Sequence, residues 1–218
     1  MIQEIILPFL KELVENNNRE WFHANKAKYT TAKEAFEQFN ELLIAQIAEF
    51  DPMIKGMEPK DCIFRIFRDV RFSNDKRPYK TNFGTYIAQG GRKSMNPGYY
   101  LHIEPNASFL GGGMYMPAPD KLKAIRTRIF EDAEELKEII NDPEFAEHYK
   151  LYDGDKLKTA PKGFPKDFEN IDLLRYKHYA PTGMLSNKEL TDNNFFDMLL
   201  DRFEILKPFN DYLRDSIE

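Results

Sequence analysis

Apolar side chains in residues 4–15 fall at three- and four-residue steps, Ile6, Phe9, Leu10 and Leu13, which is the period of one helix face. Asn16, Asn17 and Asn18 stop that pattern. Asn18 stands where an N-cap would open a second helix through Trp21, Phe22, Tyr29, Phe36, Phe39, Leu43 and Ile47, ending near Asp51-Pro52. Over residues 62–72 the period drops to two. Phe64, Ile66, Val70 and Phe72 share one parity and Arg65, Asp69 and Arg71 the other, which predicts a half-buried strand. Further short strands are predicted at 83–88, 98–104 and 108–116, separated by Gly90-Gly91, Asn96-Pro97-Gly98 and Pro105-Asn106. An antiparallel meander is the economical arrangement.

Pro117 and Pro119 introduce a long helix with an apolar stripe of Leu122, Ile125, Ile129, Leu136, Ile139 and Ile140, closed by Asn141-Asp142-Pro143. A short helix follows at 144–149, then a Gly-, Pro- and Lys-rich loop at 153–170 and a strand or turn at 174–179. Residues 193–217 read as helix, with Pro208 as a kink or break. No repeat or Gly/Ser linker divides the 218 residues, and helices flanking a block of strands indicate a single α+β domain with an antiparallel sheet packed against N-terminal, central and C-terminal helices.

Composition narrows the function. Cys62 is the only cysteine, which excludes a disulfide framework or a multi-cysteine metal site and suits a reducing, cytoplasmic location. No apolar run approaches the roughly 20 residues of a membrane helix, and the start lacks signal-peptide features. The net charge of −5 argues against a globally basic nucleic-acid binder, yet it hides an asymmetry. Residues 60–93 carry nine Lys or Arg against three Asp, an excess of six, so the remainder of the chain carries −11. Six of those cations lie within residues 65–80.

The run Arg68-Asp69-Val70-Arg71-Phe72-Ser73-Asn74-Asp75-Lys76-Arg77-Pro78-Tyr79-Lys80-Thr81 resembles the signature of a family catalogued as domain of unknown function 2461. Asn17-Asn18-Arg19-Glu20-Trp21-Phe22, Gly98-Tyr99-Tyr100, Gly111-Gly112-Gly113 and Pro161-Lys162-Gly163-Phe164 also resemble that family's pattern, so the likeness spans nearly the whole chain. The resemblance implies no particular activity, and function must be argued from the residues.

By parity Asp69 sits between Arg65 and Arg71 as an ion-paired strut, while Arg68 points with the apolar residues. There it must be paired or reach a ligand, because an unsatisfied buried guanidinium costs several kcal/mol. Arg65, Arg68, Arg71, Lys76, Arg77, Lys80 and Tyr79 are therefore the candidate binding residues for a phosphate or carboxylate, and Asp69 and Asp75 the weak candidates for a catalytic base. The alternative is a structural turn with solvated cations. His102 and Glu104, two apart on one strand face, could pair acid with base or ligate a metal; an ordinary hydrogen bond is the plainer reading, and neither a metal nor a cofactor is implied. Gly111-Gly112-Gly113 reads as a bend in an edge strand, since the G-K-[S/T] ending of a phosphate loop is absent. Tyr79, Tyr86, Tyr99, Tyr100 and Tyr115 flank the basic stretch, partly as core and partly as surfaces a base or sugar phosphate would use. The sequence thus favours a binding module for a small phosphorylated or acidic ligand, with nucleic acid not favoured and no membrane partner. An enzyme acting on a phosphate-containing substrate is the alternative, and a structural or interaction domain the third reading.

Overall fold

A computed structural model describes all residues, Met1–Glu218. The N-terminal pattern produces α1 (Leu7–Glu15), preceded by a π-helical turn at Ile2–Ile6, and buries Phe9, Leu10 and Leu13. Asn18 caps the next helix as expected, accepting from the Trp21 amide at 2.9 Å. That helix is split into α2 (Arg19–Ala24) and α3 (Lys26–Phe50) at Asn25, whose amide and side chain both donate to the Trp21 carbonyl. A one-turn helix, α4 (Pro59–Cys62), leads to the basic stretch.

Strands β1 (Phe83–Ala88), β2 (Gly98–Ile103) and β3 (Ser108–Gly113) form the predicted antiparallel meander. The chain then crosses through α5 (Pro119–Glu131), α6 (Glu134–Asn141) and α7 (Pro143–His148) to β4 (Lys150–Leu151). The long stripe is two helices because Asp132 turns extended and accepts from the Glu134 amide, so it starts α6 afresh. After α8 (Ile171–Leu174) comes β5 (Pro181–Leu185), which pairs with both β3 and β4. The sheet order is β1-β2-β3-β5-β4 and every pairing is antiparallel, an α+β fold. A capping box at Ser186 starts α9 (Asn187–Leu190), and α10 (Phe195–Ile217) ends the chain. Pro208 does not break α10, because it lies on the exposed side where water satisfies the carbonyl left without an amide partner.

Two expectations are corrected and one open alternative is resolved. Residues 62–72 are not a regular half-buried strand. Phe64 N donates to Gly84 O, Lys80 N to Ile66 O and Arg68 N to Pro78 O, so the chain runs irregularly beside residues 78–85 and then departs into a loop whose tip, Phe72, is 96% exposed. The alternation is broken because Phe67 packs edge-on against Phe22 and Tyr29 and tilted against Tyr79, while Ile66 enters the core. At 174–179 the turn and not the strand is realised: Arg175 turns the chain after α8, and only Tyr179 pairs, in an isolated bridge to Met114, before β5 begins at Pro181. The glycine run is not at an edge: β3 lies inside the sheet, although Gly113, at φ +75°, does bend the chain where a Cβ would sit 2.1 Å from the Tyr179 carbonyl.

The helices cover one face of the sheet. Phe83, Ile87, Tyr99, Leu101, Ile103 and Leu110 point into a contiguous apolar cluster that extends from Ile2 to Leu213. Two polar anchors fix α10 within it. Asn210 accepts from the Gly113 amide at 2.8 Å and donates to Gly98 O at 3.2 Å, bridging β2 and β3. Asp51, fully buried beyond the end of α3, pairs with Arg214 and accepts from the Tyr99 hydroxyl at 2.8 Å. Removing one member of such a pair strands the other charge in the interior. Asp51→Ala is therefore expected to lose about 3–5 kcal/mol in a urea titration, whereas Tyr99→Phe, which removes one neutral donor to a charge, should lose about 1.5–3 kcal/mol. Equal, small losses from both would show that Arg214 finds water instead.

Candidate functional site

With the helices on one side, the other face of the sheet stays open over its central strands. Alternation sends Gly84 and Tyr86 of β1, Tyr100 and His102 of β2, Phe109 and Gly111 of β3, and Thr182 and Met184 of β5 to this face, since these residues are register partners across the sheet. Tyr86, Tyr100, His102, Phe109, Gly111 and Thr182 among them form the floor of a cleft of about 710 Å³. Phe64 closes one wall and lies edge-on to Tyr100 at 6.3 Å, while Arg92 and Lys93 line another part, on the turn between β1 and β2. The rim opposite β1 is built by Tyr115, Met116 and Tyr152. His178 holds it: Nδ1 accepts from the Met116 amide at 2.8 Å, Nε2 faces Asp155 at 3.2 Å, and Tyr115 stacks on the ring at 4.4 Å.

Polar groups are few on this floor and are tied together. The Tyr86 hydroxyl lies 2.7 Å from the Asn96 carbonyl and 2.8 Å from that of Gly113, and burial raises its pKa. His102 faces Glu104 at 3.0 Å and the Tyr100 hydroxyl at 3.1 Å, with no third acid, His or Cys joining them as a metal set. Burial, and secondarily the Glu104 charge, push the Tyr100 phenol up to about 12.

The basic stretch adjoins the Phe64 end, and most of it neutralises itself. Asp69 accepts a two-pronged contact from Arg71 and does not lie as a strut between Arg65 and Arg71. Asp75 is held by both Arg68 and Arg77, and Lys76 donates to the Val70 carbonyl at 3.1 Å. Arg68 is thus paired, at the margin of the core and not deep within it. Tyr79 belongs to the core: it stacks on Phe22 at 3.9 Å, and Asn17 grips its backbone by donating to the carbonyl at 3.0 Å and accepting from the amide at 3.2 Å. Both candidate bases are consequently engaged by guanidinium groups.

Arg65 and Lys80 remain outside these ion pairs. The Lys80 ammonium is half-buried, 5.3 Å over the Phe64 ring, and its pKa is lowered first by burial and then by the positive charges of Arg65 and Arg68. An anion would relieve that repulsion. Of the seven candidate binding residues the structure sets Lys80 against the cleft wall, over the Phe64 ring. It adds Phe64, Tyr86, Tyr100, Phe109, Arg92 and Lys93, which charge counting had not selected as a site. For Tyr86, Tyr100 and Phe109 the available signal was their parity on β1, β2 and β3; Phe64, Arg92 and Lys93 lie outside the strands. Cys62 is buried and its thiol pushed up to about 11 by burial, as fits an inert packing residue.

The chain has been compared with known proteins at three levels. A family model described as "Conserved hypothetical protein (DUF2461)" matches residues 5–212. No curated protein and no solved structure matches the chain. No helix is long and apolar enough to cross a membrane.

The Asp75 carboxyl is held well below the ordinary aspartate range by hydrogen bonds from Arg77 first and Arg68 second. A depressed carboxylate stabilises the folded loop fully above its unfolded pKa of about 4, and that contribution fades as pH falls toward the folded value. The difference in melting temperature between wild type and Asp75→Asn should be constant from neutral pH down to about 5 and shrink below about 4. A difference that instead grows on acidification would place the interaction elsewhere.

Proposed function

Taking as premise that the chain belongs to the DUF2461 family, we propose that it is a ligand-binding domain whose open sheet face receives a small molecule with a flat apolar body and an anionic group, a carboxylate or phosphate. The observation that carries this reading is the cleft itself. It is a concave, largely aromatic pocket with a small number of convergent polar groups, the usual form of a small-molecule site. Its volume of about 710 Å³ falls within the range of roughly 300–1,000 Å³ typical of such sites. Tyr100 and Phe109 line the floor, Arg92 and Lys93 line its margin, and Lys80 lies 5.3 Å over the Phe64 ring that closes one wall.

An unpaired, partly desolvated ammonium beside a like charge is a poor structural element and a good anion receptor. The paired state of Asp69 and Asp75 gives no support to phosphate chemistry run by either carboxylate. The chain's overall negative charge likewise favours a small anion over a nucleic-acid backbone.

Thermal shift and calorimetry with benzoate, phenyl phosphate, phenylpyruvate and inorganic phosphate test the reading. The aryl anions should stabilise the protein more than inorganic phosphate at equal concentration, because only they fill the apolar floor. Lys80→Ala should weaken phenyl phosphate binding roughly tenfold or more with little change in the ligand-free melting temperature. Lys76→Ala serves as the control with unchanged binding. Indifference to all four probes would remove the proposal, and a fall in melting temperature of core-truncation size in Lys80→Ala would reassign that residue to folding.

A further inference from the structure

The polar groups of the cleft floor form one directed chain. Glu104 can only accept hydrogen bonds as a carboxylate, so the His102 Nε2 facing it at 3.0 Å carries the hydrogen. The opposite nitrogen, Nδ1, then presents its lone pair to the Tyr100 hydroxyl at 3.1 Å and the Asn82 amide at 3.3 Å. Glu104 is itself steadied by the Thr81 hydroxyl, and the Phe109 ring stacks on the imidazole at 4.6 Å, fixing its plane. Gly84 makes room for this order, since a Cβ there would stand 3.1 Å from the Tyr100 hydroxyl. A hydroxyl bonded to an imidazole that a carboxylate orients is the arrangement in which enzymes draw the proton off a side-chain hydroxyl.

The phenol that ends the chain stays protonated near neutral pH. It can therefore take a proton from a ligand only while surrendering its own to His102. Its oxygen can then act as the base toward an acidic C–H of a ligand on the cleft floor, the proton it gives up lodging on the imidazole beside it. The aromatic floor and marginal cations suit a flat body bearing a carboxylate.

Resting on the binding reading above, we propose that Tyr100, His102 and Glu104 form a proton relay that enolises an aryl 2-oxo acid held in the cleft. The C3 proton of the ligand passes to the Tyr100 oxygen as the Tyr100 proton passes to His102 Nδ1. The electrons of the broken C–H bond form the C2–C3 double bond, and the carbonyl π pair moves onto oxygen to give the enolate. The imidazolium produced lies against the Glu104 carboxylate. Reversal returns a proton to C3, so no oxidant, reductant or second substrate is consumed. Tyr100 is the residue that meets the ligand; His102 acts through it and Glu104 positions His102.

The test follows phenylpyruvate in D2O by proton NMR, with binding measured separately by calorimetry. Wild-type protein should exchange the C3 protons at least about 100-fold faster than buffer at equal pH. His102→Gln, Glu104→Gln and Tyr100→Phe should each bind phenylpyruvate within about threefold of wild type yet lose most of that acceleration, a separation of binding from turnover that a merely structural role does not produce. Amide spectra confirm the fold of each variant, and Tyr100→Phe, which deletes one oxygen, keeps the test decisive if the other two fail to fold. Binding without acceleration, or acceleration that survives in Tyr100→Phe, overturns the relay and leaves the binding reading intact. Absence of phenylpyruvate binding where phenyl phosphate binds overturns the 2-oxo acid class, and absence of binding by every aryl anion overturns the reading beneath it.

Discussion

The Asp51 carboxylate is the constraint around which the helices and the sheet are assembled. It lies at the end of the longest helix, α3, and is fully buried, so its charge is tolerable only if several donors converge on it. They come from three places: Arg214 on α10, the Tyr99 hydroxyl on β2 and the Met53 amide just beyond α3. Satisfying one ion therefore fixes the position of both long helices against the central strands. Arg214 also pairs with Asp211 one turn earlier, which directs its guanidinium inward. Asn210 completes the attachment by taking the Gly113 amide and Gly98 carbonyl at the ends of β2 and β3. Strand alternation decides which face is apolar and receives the helices, and because hydrophobic burial is non-directional, these polar contacts fix where on that face α3 and α10 sit.

That asymmetry creates the cleft. An antiparallel sheet needs only one buried face, and here α3 and α10 take the face bearing Tyr99, Leu101 and Leu110. The other face would ordinarily be polar. Instead it carries Tyr86, Tyr100, Phe109 and Met184, sheltered partly by Phe64 and by the Tyr115 to Pro117 rim. Met184 is 69% exposed, although it is the register partner of Phe109. Apolar surface left open beside a cluster of hydrogen-bonded polar side chains is the physical ground for reading the face as a site.

How much of this was legible in the chain depends on the range of the interaction. Asn18 as a cap, the three meander strands and the one-sided helix periods are local, and each stands where its residues direct. β5 was missed because Pro181-Thr182-Gly183-Met184-Leu185 has poor strand chemistry by itself; it is a strand because β3 and β4 flank it. Residues 62–72 misled for the converse reason. Their alternation is real in sequence, but the Phe67 ring finds Phe22 and Tyr79, and the pleat is lost there. The cleft shares this limit. His102 with Glu104 was visible as a pair on one strand, yet its setting needs Thr182, Tyr152 and Phe64, which only the sheet order brings around the same floor.

The basic stretch shows why charge counting locates a region and not a site. Its excess of six over residues 60–93 suggested a broad positive crown, but the loop folds so that Asp69 and Asp75 hold three guanidiniums among them. Such exposed pairs add little to stability, and their effect here is to order the turn that brings Pro78 and Tyr79 back against Asn17 and Phe22. Since Tyr79 is clamped through its backbone, the next residue, Lys80, cannot swing out to solvent with the freedom of an ordinary surface lysine. It is left half-buried above Phe64, facing the charges of Arg65 and Arg68 without an acid of its own. The neutralised cations therefore order the loop, and the cation without an acid is the one to which the proposed anion site assigns a ligand, which reverses the order of importance that their number along the sequence suggests.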